Sequence, residues 1–349
     1  MKRTVKADRK RINLALQGGG AHGAFTWGVL DRLLQEPSIE IAALSGTSAG
    51  ALNGAAVKAG LSQGSRDLAR ENLGWLWEQM GAITDERFSA WLGAVSPLAI
   101  SHWIETSLPF ALGDAVSRMV SPYSYGPFFG NPLKPIVDRF HYDNICCAEG
   151  PDFFVCATNV RTGKIRVFGG DEIGTPPLLA STCLPTLFKA VEIDDPATGE
   201  REAYWDGGYT GNPALFPLYA PHLPDDILII NINPLIRHEV PTTARAIQNR
   251  VNEVSFNASL LSELRAIRFV QRLLADGSLN PGRMKHVLVH MIADDDLMQQ
   301  LSVATKVVPV PQVLHQLYES GVDACDAFLS EHGDRIGVEG TADLAAMFD

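Results

Sequence analysis

Two glycine-punctuated turns fall within the first sixty residues and restrict the fold more than any other feature of the chain. Ile12-Asn13-Leu14-Ala15-Leu16 is a short strand-like run that stops at Gly18-Gly19-Gly20. Apolar positions then recur at helical spacing from Ala21 to Leu34. A second strand-like run, Ile39 to Leu44, leads into Gly46-Thr47-Ser48-Ala49-Gly50, and a helix of small residues (ALNGAAVKAG) follows. Strand, turn, helix, strand, turn, helix is the order of βαβ units. An α/β fold on a largely parallel sheet is therefore expected.

Further strand-like runs lie at 153–157, 164–168, 227–232 and 286–291, and a long helical pattern covers 242–274. No internal repeat and no convincing boundary interrupts them. A single domain over 12–295 is expected, with 296–349 as a helical extension packed on it. Residues 75–130 are less regular and carry Trp75, Trp77, Trp91, Trp103, Tyr123, Tyr125 and Phe128-Phe129. Either these aromatics are buried by helices packing on the sheet, or the segment is a mobile cover with an apolar underside facing a lipid or acyl chain. Both readings stay open.

Charge narrows the partners. With 29 basic and 40 acidic side chains the net charge is −11. A nucleic-acid backbone would be repelled, and no basic run occurs beyond the first 11 residues. That basic stretch, MKRTVKADRKR, reads as a ragged leader, with a tether to anionic headgroups as the alternative. It precedes an apolar run too short for a signal-peptide core, and no run is long enough to span a bilayer. The five cysteines show no repeated C-x-x-C pattern. Free thiols in a cytoplasmic protein are expected, with peripheral contact at the inner membrane face as a further option.

The glycine turn has two readings. Gly18-Gly19-Gly20-Ala21-His22-Gly23 satisfies G-x-G-x-x-G between a strand and a helix, the dinucleotide fingerprint. That fingerprint needs an acid at the carboxyl end of the second strand, and this strand ends Ala42-Ala43-Leu44-Ser45. A Walker loop fails because no Gly-Lys-Ser/Thr follows. The second reading takes both turns together. G-x-S-x-G presents Ser48 on a sharp strand-to-helix bend, and the first turn offers amides at a helix N-terminus for an oxyanion. Adjacent parallel strands would bring the two turns to one edge of the sheet.

What activates Ser48 is harder to read. A Ser, acid, His order would use His286 or His290, but these flank an apolar run and suit the ends of a strand. The other candidate is Asp206, in Tyr204-Trp205-Asp206-Gly207-Gly208-Tyr209 just before Asn212-Pro213. An acid before two glycines is often a plain turn, and little room remains there for a regular element. A carboxylate can nonetheless take a serine proton directly, more readily if burial beside Trp205 raises its pKa.

With these residues in hand, the chain resembles the bacterial patatin-like phospholipases, relatives of cytosolic phospholipase A2. The resemblance rests on Gly18–Gly23, Gly46–Gly50 and Asp206-Gly207-Gly208, and extends from about Asn13 to His290 through Asn131-Pro132-Leu133 and RVNEVSFNASLLSEL at 250–264. It implies a three-layer α/β/α fold and a Ser48–Asp206 dyad without a catalytic histidine. Gly18, Gly19 and Gly20 would form the oxyanion hole, with Ala21, His22, Gly23, Thr47 and Ala49 in support. No cofactor and no metal is implied. The implied substrate is a lipid or other acyl ester, reached through transient contact with a membrane surface, and the oligomeric state stays open. Esterase, thioesterase or polyester depolymerase activity are alternatives, as is a non-catalytic lipid-binding protein. One position departs from the pattern: His22 stands where many relatives carry arginine, which weakens any expectation of phosphate binding there.

Overall fold

The structure, a computed structural model, describes residues 9–82, 120–124, 130–280, 282–302 and 304–349. Its centre is an eight-stranded sheet in the order β5-β6-β3-β2-β1-β7-β8, with β4 paired to β3 off that path. The strands are β1 (Lys10–Leu16), β2 (Ile39–Thr47), β3 (Asp152–Asn159), β4 (Ile165–Gly169), β5 (Val191–Asp195), β6 (Glu200–Asp206), β7 (Asp226–Ile230) and β8 (Leu288–Ile292). The run β3-β2-β1-β7-β8 is parallel, and β4, β5 and β6 join antiparallel.

Side-chain alternation distributes the core between two faces. Ile12, Leu14 and Leu16 of β1 and Leu228 and Ile230 of β7 enter one apolar cluster with Phe25, Leu30, Leu52 and Leu317. Ala15 of β1 and Ile227 and Ile229 of β7 enter the other, with Leu260, Leu264 and Ile267. The first face is covered by α1 (Gly23–Leu34), α2 (Ala49–Leu61), α3 (Arg66–Ala82) and, far along the chain, Pro311–His332. The second is covered by the long helix Ala244–Ala275. This is the three-layer α/β/α architecture on a mostly parallel sheet. β1 and β2 change register between Ile12 and Asn13, so that Ala42 and Ala43 both join the second cluster.

Three expectations need correction. The region before Asp206 holds a hairpin, β5–β6, rather than an irregular turn, and Asp206 is the last residue of a regular strand. β8 starts at Leu288, so His286 lies outside it and His290 sits at its centre. Alternation sends Trp205 to the opposite face of β6 from Asp206, so Trp205 is not the wall that buries the acid. Of the aromatic segment, Trp75 and Trp77 pack into the first cluster, which favours core helices for that part. Trp91, Trp103, Tyr125, Phe128 and Phe129 lie outside the described residues.

Residues after 295 are largely helical. Pro311–His332 packs along α1, and the short helix Ala304–Val307 lies over the Gly20–His22 turn. Among the described residues no helix is long and apolar enough to cross a membrane.

Candidate active site

Ser48 takes its position from a bend that the backbone resists. Its φ of 54° makes it the one non-glycine residue with positive φ among the described residues. Such a conformation costs on the order of 1–3 kcal/mol and persists only where its surroundings impose it. Here β2 runs directly into α2 with Ser48 as the cap between them. Gly46 and Gly50 permit the bend, because a Cβ at Gly50 would lie 2.1 Å from the Leu16 carbonyl oxygen. The small-residue helix behind the bend is buried from Ala49 to Gly60. The Ser48 amide donates to Ser181 Oγ at 2.9 Å.

Asp206 reaches Ser48 through the way three strands share the edges of β3. The pairing of β2 with β3 stops at Thr47 opposite Cys156. The next residue of β3, Ala157, pairs with Asp206 of β6. Since β4 overlaps both partners along β3, β2 and β6 must occupy the same edge, one taking over where the other ends. The end of β6 therefore abuts the bend at Ser48. Polar contacts secure the join: Thr47 Oγ1 donates to the Gly211 carbonyl at 2.6 Å, and Thr158 Oγ1 to the Asp206 carbonyl at 2.8 Å.

Asp206 is 1% exposed, and one carboxylate oxygen accepts the Gly208 amide at 2.8 Å. The acid therefore also caps the Gly207–Tyr209 turn, so the turn and the site are the same feature. Burial pushes the carboxyl up to about 7, and hydrogen bonds from the Gly208 amide and the Ser48 hydroxyl pull it partly back. Ser48 and this raised carboxyl line the same cavity.

The glycine turn meets the same point. Gly18 lies against Ser48, and its amide donates to Asn212 Oδ1 at 2.6 Å. That bond ties Gly18 into the frame of the turn. The Gly18 carbonyl accepts from Asn233 Nδ2 at 2.8 Å and Asn212 Nδ2 at 3.3 Å. Gly19 and Gly20 line the cavity beside Ser48, and their amides have no hydrogen-bond partner among the described residues. Gly20 needs its positive φ of 60°, and a Cβ there would strike the Lys306 carbonyl oxygen at 2.2 Å.

The remaining predicted residues fall close by in supporting places. Ala21 and Ala49 line the cavity, Gly23 packs on Ala49, and Gly207 packs on Cys156 and Thr47. His22 is buried with Nε2 2.8 Å from Thr305 Oγ1. Burial, and secondarily the nearby Lys306, hold its pKa well below the usual imidazole range. His22 is therefore neutral and turned to the C-terminal segment, and it offers no charge to a phosphate.

The histidine alternative has different geometry. His290 is fully buried with Nε2 3.0 Å from Asp226 Oδ1 and Nδ1 3.1 Å from Thr341 Oγ1. Neither His286 nor His290 lines the Ser48 cavity. Asp226 also accepts the Gly337 amide at 2.7 Å, so this pair clasps the C-terminal segment to the sheet. His290→Leu is expected to lower stability by about 1–3 kcal/mol, the usual cost of stranding a buried polar partner. Ester hydrolysis per folded molecule should stay at the wild-type level, as checked by denaturant unfolding beside turnover at low temperature.

Sequence reasoning missed Ser181, Asn212, Asn233 and Lys306. Only Asn212 had a local signal, its place just after the Asp206 turn.

The cavity that Ser48 opens into has a volume of about 640 Å³. Leu52, Leu76, Trp77, Met80, Leu133 and Phe188 form an apolar side, and Asn249, Asn252, Glu253 and Lys306 a polar one. Its size is that of a small-molecule site.

Comparison with known proteins agrees with this architecture. Among curated proteins no sequence matches the chain. Among solved structures, VipD from Legionella pneumophila is similar at 15% sequence identity with a TM-score of 0.40. The likeness covers 93% of this chain and 67% of that one. The patatin-like phospholipase family model matches residues 14–219, from β1 past the Asp206 turn. On that match, and with a fold consistent with a lipid-acting serine hydrolase, the chain belongs to the patatin-like phospholipase family.

Proposed function

We propose that the protein is a serine acyl hydrolase that cleaves carboxylic esters of lipids, phospholipids or lysophospholipids among them. The observation that carries this reading is the meeting of Ser48 and buried Asp206 at the wall of a largely apolar cavity, where the end of β6 abuts the Ser48 bend. Ser48 Oγ attacks the acyl carbonyl while Asp206 takes its proton. The Gly19 and Gly20 amides receive the oxyanion, and Gly18 holds them in place. As the tetrahedral intermediate collapses, Asp206 returns the proton to the departing alcohol. Asp206 then deprotonates a water that attacks the acyl-enzyme, and the fatty acid leaves as Ser48 regains its proton. A carboxyl near pKa 7 suits both directions of transfer at neutral pH.

The apolar side of the cavity is where the acyl chain lies. Lipid is met from the aqueous side, at a membrane surface or in a micelle. A panel of p-nitrophenyl esters of increasing acyl length and of defined phospholipids, run beside Ser48→Ala, tests this. Turnover is expected to rise from acetyl to medium-chain esters as burial adds about 0.8 kcal/mol per methylene. Failure to hydrolyse any ester, with no fluorophosphonate adduct on Ser48, would remove the reading.

A further inference from the structure

Lys306, which packs on the Gly18–Gly20 turn, comes from outside the family-matched segment. Lys306 Nζ donates to Asn233 Oδ1 at 2.7 Å, and Asn233 Nδ2 donates to the Gly18 carbonyl at 2.8 Å. An ammonium can only donate and a carbonyl can only accept, so the direction of this chain of hydrogen bonds is forced. The Gly18 carbonyl and the Gly19 N–H belong to one trans peptide and point in opposite directions. Positive charge applied at the carbonyl end therefore polarises the N–H end.

Asn233 is 2% exposed, and its own amide donates to Gln17 Oε1 at 2.9 Å. The relay is thus rigid at its middle. Lys306 is held from both ends, since its carbonyl oxygen also packs against Gly20. Glu253 of the Ala244–Ala275 helix faces Lys306 but is already paired with Arg237 at 2.6 Å and Arg250 at 3.2 Å. His22, on the other side, is neutral.

We propose that Lys306 is a positioning residue for the oxyanion hole, its ammonium acting through Asn233 to orient and polarise the Gly18–Gly19 peptide toward the developing oxyanion. This rests on the Ser48–Asp206 reading of the site. In a low-dielectric setting such linked hydrogen bonds strengthen one another, and the gain is largest when charge develops on the oxyanion. Lys306 therefore acts on kcat more than on KM. Burial pushes its ammonium down to about 8, with Glu253 opposing and Arg237 adding to the shift. The charge is then lost in a range where activity is measurable, which produces a fall in rate on the alkaline side.

The test is kcat and KM for p-nitrophenyl butyrate, an uncharged ester, from about pH 6 to 9.5 in wild type, Lys306→Met and Lys306→Arg. Lys306→Met should lower kcat about tenfold with KM within about twofold, and should remove the alkaline fall. Lys306→Arg should restore most of kcat and keep its rate above about pH 8, because guanidinium does not titrate there. This arm stands even if the methionine variant does not fold. Wild-type kcat and an unchanged alkaline fall in either variant would overturn the proposal. So would a Lys306→Met loss confined to phospholipids, which would make Lys306 a headgroup ligand. A fluorophosphonate adduct on wild-type Ser48, read by intact mass, separates the two levels. Its absence defeats the dyad, and its presence with an unchanged alkaline fall defeats only the relay.

Discussion

Ser48→Ala is expected to reduce ester hydrolysis by at least about 10⁴-fold, since a removed nucleophile leaves only binding and oxyanion contributions. The same variant should form no fluorophosphonate adduct. Its fold should survive, because alanine meets the same backbone penalty at φ 54° that serine already bears. A companion substitution, Ser48→Gly, separates the two properties. Glycine adopts positive φ without the steric cost, so this variant should be as inactive as alanine yet more stable, by about 1 kcal/mol. Thermal unfolding of the three proteins beside turnover reads both effects. Retention of activity in Ser48→Ala would end the nucleophile assignment. Equal stability of the glycine and alanine variants would show that the bend stores no strain.

What the sequence disclosed about this site was local, and what it concealed was long-range. The alternation of Ile12, Leu14 and Leu16 and the glycines around Ser48 are each visible within ten residues, and they correspond to β1, β2 and the bend. The hairpin β5–β6 is hidden because Glu200-Arg201-Glu202 is polar, as an outer hairpin with one exposed face permits. Without that hairpin Asp206 looks like a turn residue. Its meeting with Ser48 depends on β6 taking over the edge of β3 that β2 leaves at Thr47, a relation no periodicity encodes. The expectation of three oxyanion glycines came from the family resemblance. Only the distant Asn212 shows that the first is occupied in holding the loop. Lys306 is the extreme case, since a lone lysine in Ala304–Val307 carries no pattern at all.

Asp206→Asn should abolish turnover and at the same time stabilise the protein. Asparagine cannot accept the Ser48 proton, so acyl-enzyme formation should fall by about 10⁴-fold, comparable to loss of an acid in a catalytic unit. The stability change follows from the same burial. In the folded chain the carboxyl titrates near 7, against an ordinary value of 3.8. Between those values the folded state binds more protons than the unfolded state, so wild-type stability declines as pH rises through this window. Every tenfold gain in proton affinity on folding is worth about 1.4 kcal/mol, so the full window amounts to a few kcal/mol. The asparagine variant lacks this dependence. Its melting temperature should match wild type near pH 4 and exceed it by several degrees at pH 8, the gap opening between them. Wild-type kcat/KM should rise through the same range, as ionised Asp206 becomes available. A gap that stays constant with pH would mean the acid is not held neutral by burial, and a rate that ignores this range would remove Asp206 as the base. A residue kept at a cost to stability and titrating where activity appears is what a buried general base requires.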